Sequence, residues 1–277
     1  MTGYFWLASY PKSGNTWLRL FLESLNTDGA MPDINAMTFS SGHAAMRDEF
    51  ERILDIESND LTDAEIACAR PRFYELKSQT ASSAMICKVH DAWGMTPAGE
   101  PLFPPELTLG VIYLIRDPRD VAVSLAHHMR QSVDQTIERM GNTDAMMSMS
   151  KRFIPKQLPQ RLNSWNGHIE SWLSAPVKRL LLKYEDMLSD PVRHFGATAR
   201  FLGIHTDDAK IVAAVEAVTF ERLRAAEKAD GFIEAPPGVD DFFRRGMAGG
   251  WRDSLTSAQI ARIESDHGAM MRRFDYL

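Results

Sequence analysis

Four short runs of apolar, aromatic or β-branched residues punctuate the chain: Tyr4–Ser9, Met85–His90, Gly110–Arg116 and Lys178–Lys183. Runs of this length, bounded by turn residues, predict buried strands. Helical spacing follows three of them. After the first, Leu18, Phe21, Leu22 and Leu25 fall at i, i+3, i+4 and i+7, one face of a helix. After the third, Val121, Leu125 and Met129 are four apart, and Pro118 suits a first helical turn. After the fourth, Pro191 opens a segment in which Phe195, Ala199 and Leu202 share a face. Strand–turn–helix repeated in this way predicts an α/β fold, a central parallel sheet flanked by helices. Ligands of such sheets sit at the C-terminal ends of the strands. A last helix is announced by the capping box Thr256-Ser257-Ala258-Gln259, followed by Ile260, Ile263, Met270 and Phe274.

There is no internal repeat and no linker that would divide the chain, so residues 1–277 are expected to form one domain. Three segments lack periodicity and read as mobile: Thr27–Gly42, Met140–Pro155 and Asp230–Gly250. The cluster Met146, Met147 and Met149 fits a flexible lid over an apolar substrate. An ordinary surface loop fits it equally well.

Composition narrows the class of protein. Apolar residues make up 44% and charged residues 25% of the 277, the balance of a globular protein rather than a disordered or collagen-like one. The 31 basic residues are outnumbered by 37 acidic ones, giving a net charge of −6, which argues against a nucleic-acid partner. An anionic ligand must then be held by local cations and backbone amides. The central apolar stretch Val111–Ile115 falls far short of the ~20 residues that span a bilayer. The first residues lack the basic flank and apolar core of a signal peptide. Cys68 and Cys87, the only cysteines, cannot form a disulfide framework or a four-ligand zinc site, so a cytoplasmic location is expected.

The strongest chemical signal is Tyr10-Pro11-Lys12-Ser13-Gly14-Asn15-Thr16-Trp17, between the first strand and its helix. A glycine-bearing turn there directs N–H groups into the loop, where the helix N-terminus adds its positive end. Lys12, Ser13, Asn15 and Thr16 add further donors. The lysine precedes the glycine, unlike the G-x-x-x-x-G-K-[ST] order of a Walker A loop. A well-capped turn without a ligand is the competing reading. The second signal is Arg116, at the end of a buried strand, with Ser124 in the helix that follows. A cation in that position needs an anion, which is either a ligand or one of the neighbouring carboxylates, Asp117 and Asp120.

These two stretches together resemble the nucleotide-dependent sulfotransferases, in particular the cytosolic type acting on small molecules. The 5′-phosphosulfate loop of that family, Y-P-K-S-G-[TN]-T-W, is matched by Tyr10–Trp17. Its 3′-phosphate element, R-x-P-[KR]-D-x-x-x-S, is matched by Arg116 to Ser124. Its third element, R-[KR]-G-x-x-G-x-W, appears as Arg244 to Trp251, with Tyr184-Glu185-Asp186-Met187 lying between. The resemblance implies 3′-phosphoadenosine 5′-phosphosulfate as donor and adenosine 3′,5′-bisphosphate as product. It assigns Lys12, Ser13, Gly14, Asn15 and Thr16 to the 5′-phosphosulfate, and Arg116, Ser124, Arg244, Arg245 and Gly246 to the 3′-phosphate. Trp17, Tyr184 and Phe220 would contact adenine. The aromatic stretch Ser164-Trp165 through Trp172 also resembles the family's and reads as structural.

The base implied by the resemblance is His90, at the strand end Met85-Ile86-Cys87-Lys88-Val89-His90, which is similar to the family's K-x-H. Period-two geometry puts Lys88 and His90 on one face. An imidazole of ordinary pKa near 6.5 suits removal of a hydroxyl proton at neutral pH. Lys88 would steady the sulfuryl oxygens and Lys12 the bridging oxygen, with Ser124 competing for Lys12 before substrate arrives. No metal is called for. The remaining histidines read as structural or solvated.

Departures from the family pattern accompany these matches. The loop begins ten residues in, without the usual N-terminal extension. Gly250 replaces a common aspartate and Val218 a common threonine, and the C-terminal dimer motif fails at Ser257 and around Arg262. The motifs therefore leave monomer and homodimer open. The expected acceptor is a small phenol, alcohol or lipid-like molecule, with Phe39, Trp93, Phe103, Phe153 and Met146–Met149 as pocket candidates. The alternatives are a P-loop kinase or NTPase and a non-catalytic nucleotide-binding homologue.

Overall fold

The computed structural model describes residues 2–150, 153–239 and 241–277. Lys151, Arg152 and Asp240, in two of the segments expected to be mobile, lie outside the described residues. The strands are β1 (Tyr4–Ser9), β2 (Gly42–His43), β3 (Met85–Val89), β4 (Thr108–Ile115), β5 (Met146–Met147), β6 (Gln160–Arg161) and β7 (Arg179–Lys183). The main sheet runs β2-β3-β1-β4-β7, and β5 pairs with β6 apart from it. β1 and β2 both lie parallel to β3, with Leu7 and His43 each opposite Lys88. The four predicted strands are all present, but His90 and Arg116 each stand one residue past a strand end.

The helices are α1 (Asn15–Asn26), α2 (Arg47–Leu54), α3 (Asp63–Thr80), α4 (Pro118–Met129), α5 (Val133–Gly141), α6 (Trp165–Ser174), α7 (Tyr184–Ser189), α8 (Pro191–Phe201), α9 (Asp208–Ala217), α10 (Phe220–Asp230) and α11 (Ser257–Arg273). Pro118 and Pro191 open α4 and α8, where a missing N–H costs nothing. The capping box at Thr256 and Gln259 is formed in both directions. The periodicity overreached at two positions. Met129 is exposed at the end of α4, and Leu202 lies just past α8.

The chain gathers into two compact units. The first comprises the residues up to Tyr10, Gly42–Tyr113 and Asn142–Leu180, and the second Pro11–Ser41, Leu114–Gly141 and Leu181–Leu277. The first is built on an aromatic core. Tyr4 and Trp6 stack at 4.4 Å, with Tyr74 and Phe103 edge-on or tilted against Trp6. Phe103 is fully buried there, so it is a core residue rather than a pocket wall. In the second unit the predicted face of α1 is buried, and Phe21 stacks on Phe195 of α8 at 4.5 Å.

Two of the segments expected to be mobile are held at defined points. Within 27–42, the Glu23 carboxylate accepts the amides of Thr38, Phe39 and Ser40, and these bonds hold its pKa below the ordinary value against the opposing effect of burial. Within 140–155, Met140 belongs to α5 and Met146–Met147 to the β5–β6 pair. Met149 and Phe153 remain exposed.

Candidate functional site

In the second unit the loop after β1 adopts the backbone of an anion cradle. Lys12 has φ 70° and Gly14 φ 99°, two left-handed residues flanking Ser13. A non-glycine residue held there is strained, and such strain collects at functional sites. Gly14 is the N-cap of α1 and supplies no side-chain cap, so the first-turn amides keep their outward-facing donors. A Cβ on Gly14 would stand 2.8 Å from the Tyr184 ring, which excludes any side chain. Ser13 Oγ is buried without a hydrogen-bond partner among the described residues. Asn15 and Thr16 are buried beside it.

The anion partner of Arg116 is neither nearby aspartate. Asp117 is taken by Arg119, at 2.8 Å, and Asp120 accepts the amides of Gly249 and Trp251 at 2.7 and 3.0 Å. Arg116 instead donates to the carbonyls of Lys12 (3.1 Å) and Met247 (2.9 Å) and lies 4.1 Å over the Tyr184 ring. Its Nε is buried with no hydrogen-bond partner among the described residues. Arg244 makes no hydrogen bond or ion pair among the described residues. Burial and then the charges of Arg245 and Arg116, opposed by Asp241, push its pKa down. The net effect is crowding of like charges that Asp241 only partly offsets, which favours an added anion. Arg245 is turned toward its own turn, donating to the Gly250 carbonyl and Ser254 Oγ. Gly246, at φ 58°, is pressed against the Phe220 ring, which leaves no room for a Cβ.

The remaining predicted residues of this unit are also placed. Trp17 donates from Nε1 to the Val218 carbonyl at 2.9 Å and meets Tyr184 and Phe195 edge-on. Ser124 is half-buried on α4. Lys12 Nζ lies 3.5 Å from His128 Nδ1 and 4.0 Å over the Phe242 ring. Sequence reasoning passed over His128 and Phe242, and it read Asp120 only as a rival partner for Arg116. The R-D-P-R-D spacing does place Asp120 in the first turn of α4, where it can reach a second backbone segment.

In the first unit, His90 is buried at the end of β3 with Lys88 half-buried on the same face. His90 Nδ1 is 2.8 Å from the Ser9 carbonyl oxygen. A carbonyl only accepts, so Nδ1 carries the proton and the basic lone pair is on Nε2. Its neighbour Asp91 is unsuited to proton transfer, since both oxygens pair with the buried Arg70 guanidinium at 2.9 and 2.6 Å. That pair, the Arg161 amide on Asp91 and the Trp172 indole on the Asp91 carbonyl fix the chain beyond His90. His168, which sequence reasoning left as structural, donates to the His90 carbonyl at 3.1 Å. Among the described residues no cluster of three metal-ligating side chains occurs, and no helix is long and apolar enough to cross a membrane.

Sulfotransferase 1A1 of the dog, Canis lupus familiaris, is 25% identical over 271 residues, covering 96% of this chain and 82% of that protein. The structure of mouse sulfotransferase SULT7A1 complexed with PAP superposes with a TM-score of 0.63 at 20% identity, over 98% of this chain and 86% of that one. Retinol dehydratase in complex with androsterone and the inactive cofactor PAP gives 0.61 at 22%, over 97% and 80%. The two structures share the fold. A family model for the sulfotransferase domain matches residues 3–275, and on that match the chain belongs to the sulfotransferase family.

Proposed function

We propose that this sulfotransferase moves the sulfuryl group of 3′-phosphoadenosine 5′-phosphosulfate to a hydroxyl or amine of a small-molecule acceptor, releasing adenosine 3′,5′-bisphosphate. The observation that carries the donor is Arg116: both adjacent aspartates are engaged elsewhere, its Nε is buried without a hydrogen-bond partner among the described residues, and its charge acts on Arg244, which makes no hydrogen bond or ion pair among them. Two guanidiniums so arranged suit a phosphate. In this reading Ser124, Arg245 and Gly246 complete the 3′-phosphate site. Lys12, Ser13, Gly14, Asn15 and Thr16 receive the 5′-phosphosulfate, and Trp17, Tyr184 and Phe220 meet the adenine. The similarity to two proteins that bind PAP supports the same nucleotide here.

His90 Nε2 takes the acceptor proton as the acceptor atom bonds to sulfur. The bond from sulfur to the 5′-phosphate oxygen breaks, and its electron pair stays on that oxygen. Lys12 meets the charge that develops there, and Lys88 steadies the sulfuryl oxygens. Ser124 draws Lys12 aside until an acceptor is present. Cations and amides neutralise the donor, and no metal takes part.

Residues 1–277 act as one sulfotransferase domain in the cytoplasm, as monomer or homodimer. Phenols, alcohols and lipid-like molecules are the acceptor class. The binding of androsterone by a protein of the same fold supports that class. The test is a panel of phenols, sterols, alcohols and amines with labelled donor, run with and without EDTA. Transfer that survives chelation is expected. Transfer abolished by EDTA and restored by Mg²⁺ contradicts the metal-free site, and label moving only from ATP contradicts the donor.

A further inference from the structure

His168 is fully buried, and both its ring nitrogens are engaged. Nε2 donates to the His90 carbonyl at 3.1 Å. Nδ1 therefore carries the lone pair and accepts the Tyr113 hydroxyl at 2.8 Å. The Ser9 carbonyl accepts His90 Nδ1–H at 2.8 Å. The bonds run in series: Tyr113 to His168, His168 to the His90 carbonyl, and the His90 ring to Ser9. Ser9, His90, Tyr113 and His168 are all buried. Every group lies in the first unit.

We propose that His168 and Tyr113 are positioning residues for sulfuryl transfer, holding His90 in one orientation and one tautomer so that Nε2 is the basic nitrogen. The inference rests on His90 being the base. His90 lies one residue beyond β3, and its carbonyl is held there by the His168 donor. A ring tied only at Nδ1 could still turn with its own peptide. Tied at both ring and carbonyl, it cannot. Burial drives the His168 pKa down to about 4, so its ring stays neutral near pH 7 and keeps one donor and one acceptor end. Hydrogen bonds linked in series in a buried region also polarise one another.

The experiment compares the full-length wild type with His168→Gln, His168→Phe, Tyr113→Phe and His90→Asn. Histidine ¹⁵N–¹H correlation spectra read each ring's tautomer without any acceptor, and turnover is measured with 2-naphthol and labelled donor. In the wild type His90 is expected to be protonated at Nδ1 alone. His168→Phe should mix its tautomers and lower kcat by about 10²-fold, with the donor KM within about two-fold, because misplacement of a reacting group costs about that much. His168→Gln retains an N–H donor at the same reach and should restore the tautomer and most of kcat, which a merely structural role would not do. Tyr113→Phe removes one hydroxyl at constant volume and should give an intermediate loss, keeping the test open if phenylalanine at 168 does not fold. An unchanged His90 tautomer and kcat in folded Tyr113→Phe and His168→Phe would overturn the inference. Undiminished turnover in His90→Asn would instead overturn the base assignment beneath it.

Discussion

Arg116 donates to the Met247 carbonyl at 2.9 Å, joining the end of β4 to the turn that carries Arg244 and Gly246. Its other bond, to the Lys12 carbonyl, joins it to the loop after β1. One guanidinium thus ties together all three motifs and still presents a buried Nε without a partner among the described residues. Asp120 reinforces the same turn from α4 through the Gly249 and Trp251 amides.

Adenosine 3′,5′-bisphosphate should consequently bind more tightly than adenosine 5′-phosphate. A charge-assisted bond from Arg244, which makes no hydrogen bond or ion pair among the described residues, contributes about 1.5–3 kcal/mol, roughly 10- to 100-fold. Arg244→Ala should remove most of that preference in calorimetry and leave 5′-phosphate binding nearly unchanged. Equal affinities for the two nucleotides in the wild type would remove the 3′-phosphate assignment. Arg116→Ala should weaken the fold as well, since it also leaves two carbonyls without donors.

Gly14→Ala tests the loop. At φ 99° an L-residue is strained, and its Cβ would collide with the Tyr184 ring at 2.8 Å. The strain alone is worth about 1–3 kcal/mol. Donor affinity should fall at least ten-fold and the melting temperature should drop. A stable variant with wild-type donor affinity would show that the loop does not cradle the phosphosulfate.

Stability should decline on mild acidification. Burial lowers the pKa of His168 and of His267 from 6.5 to about 4. Between those values the unfolded chain binds protons that the native chain refuses, so stability is full above pH 6.5 and is lost as pH falls toward 4. Each group contributes on the order of 3 kcal/mol across that window. Urea unfolding at pH 7 and pH 5 should show the loss, and His168→Gln should remove its share. Equal stability at the two pH values would contradict neutral burial of these rings.

Much of this was legible in the sequence because the site sits where short motifs meet strong periodicity. Strands β1, β3, β4 and β7 are dense apolar runs, and the loop, the strand-end arginine and His90 follow directly from three of them. Helix α3 was invisible for a physical reason. It carries Pro71 in its interior, and its buried side chains include Arg70 and Ser78, so no apolar stripe marks it. The Arg70 charge is matched only by Asp91, 21 positions along, a partner that periodicity cannot reveal. His168 and Tyr113 escaped notice similarly. Each sits in an ordinary apolar or aromatic stretch, and only the fold brings the first onto the His90 carbonyl and the second onto the first. Lys12 held between His128 and Phe242 is likewise a product of distant segments meeting.

The role of His90 in taking the acceptor's proton is tested by the pH–rate profile of wild type and His90→Asn, with donor affinity and melting temperature taken on the same preparations. The exchange is nearly isosteric, and its side-chain amide can still donate to the Ser9 carbonyl, so folding and donor binding should persist. The predicted result is a kcat lower by about 10²–10⁴-fold, the usual worth of a positioned base, and an acidic limb in kcat/KM that is present in wild type and absent in His90→Asn. A folded, donor-binding His90→Asn enzyme with near wild-type turnover and an unchanged pH profile would contradict it.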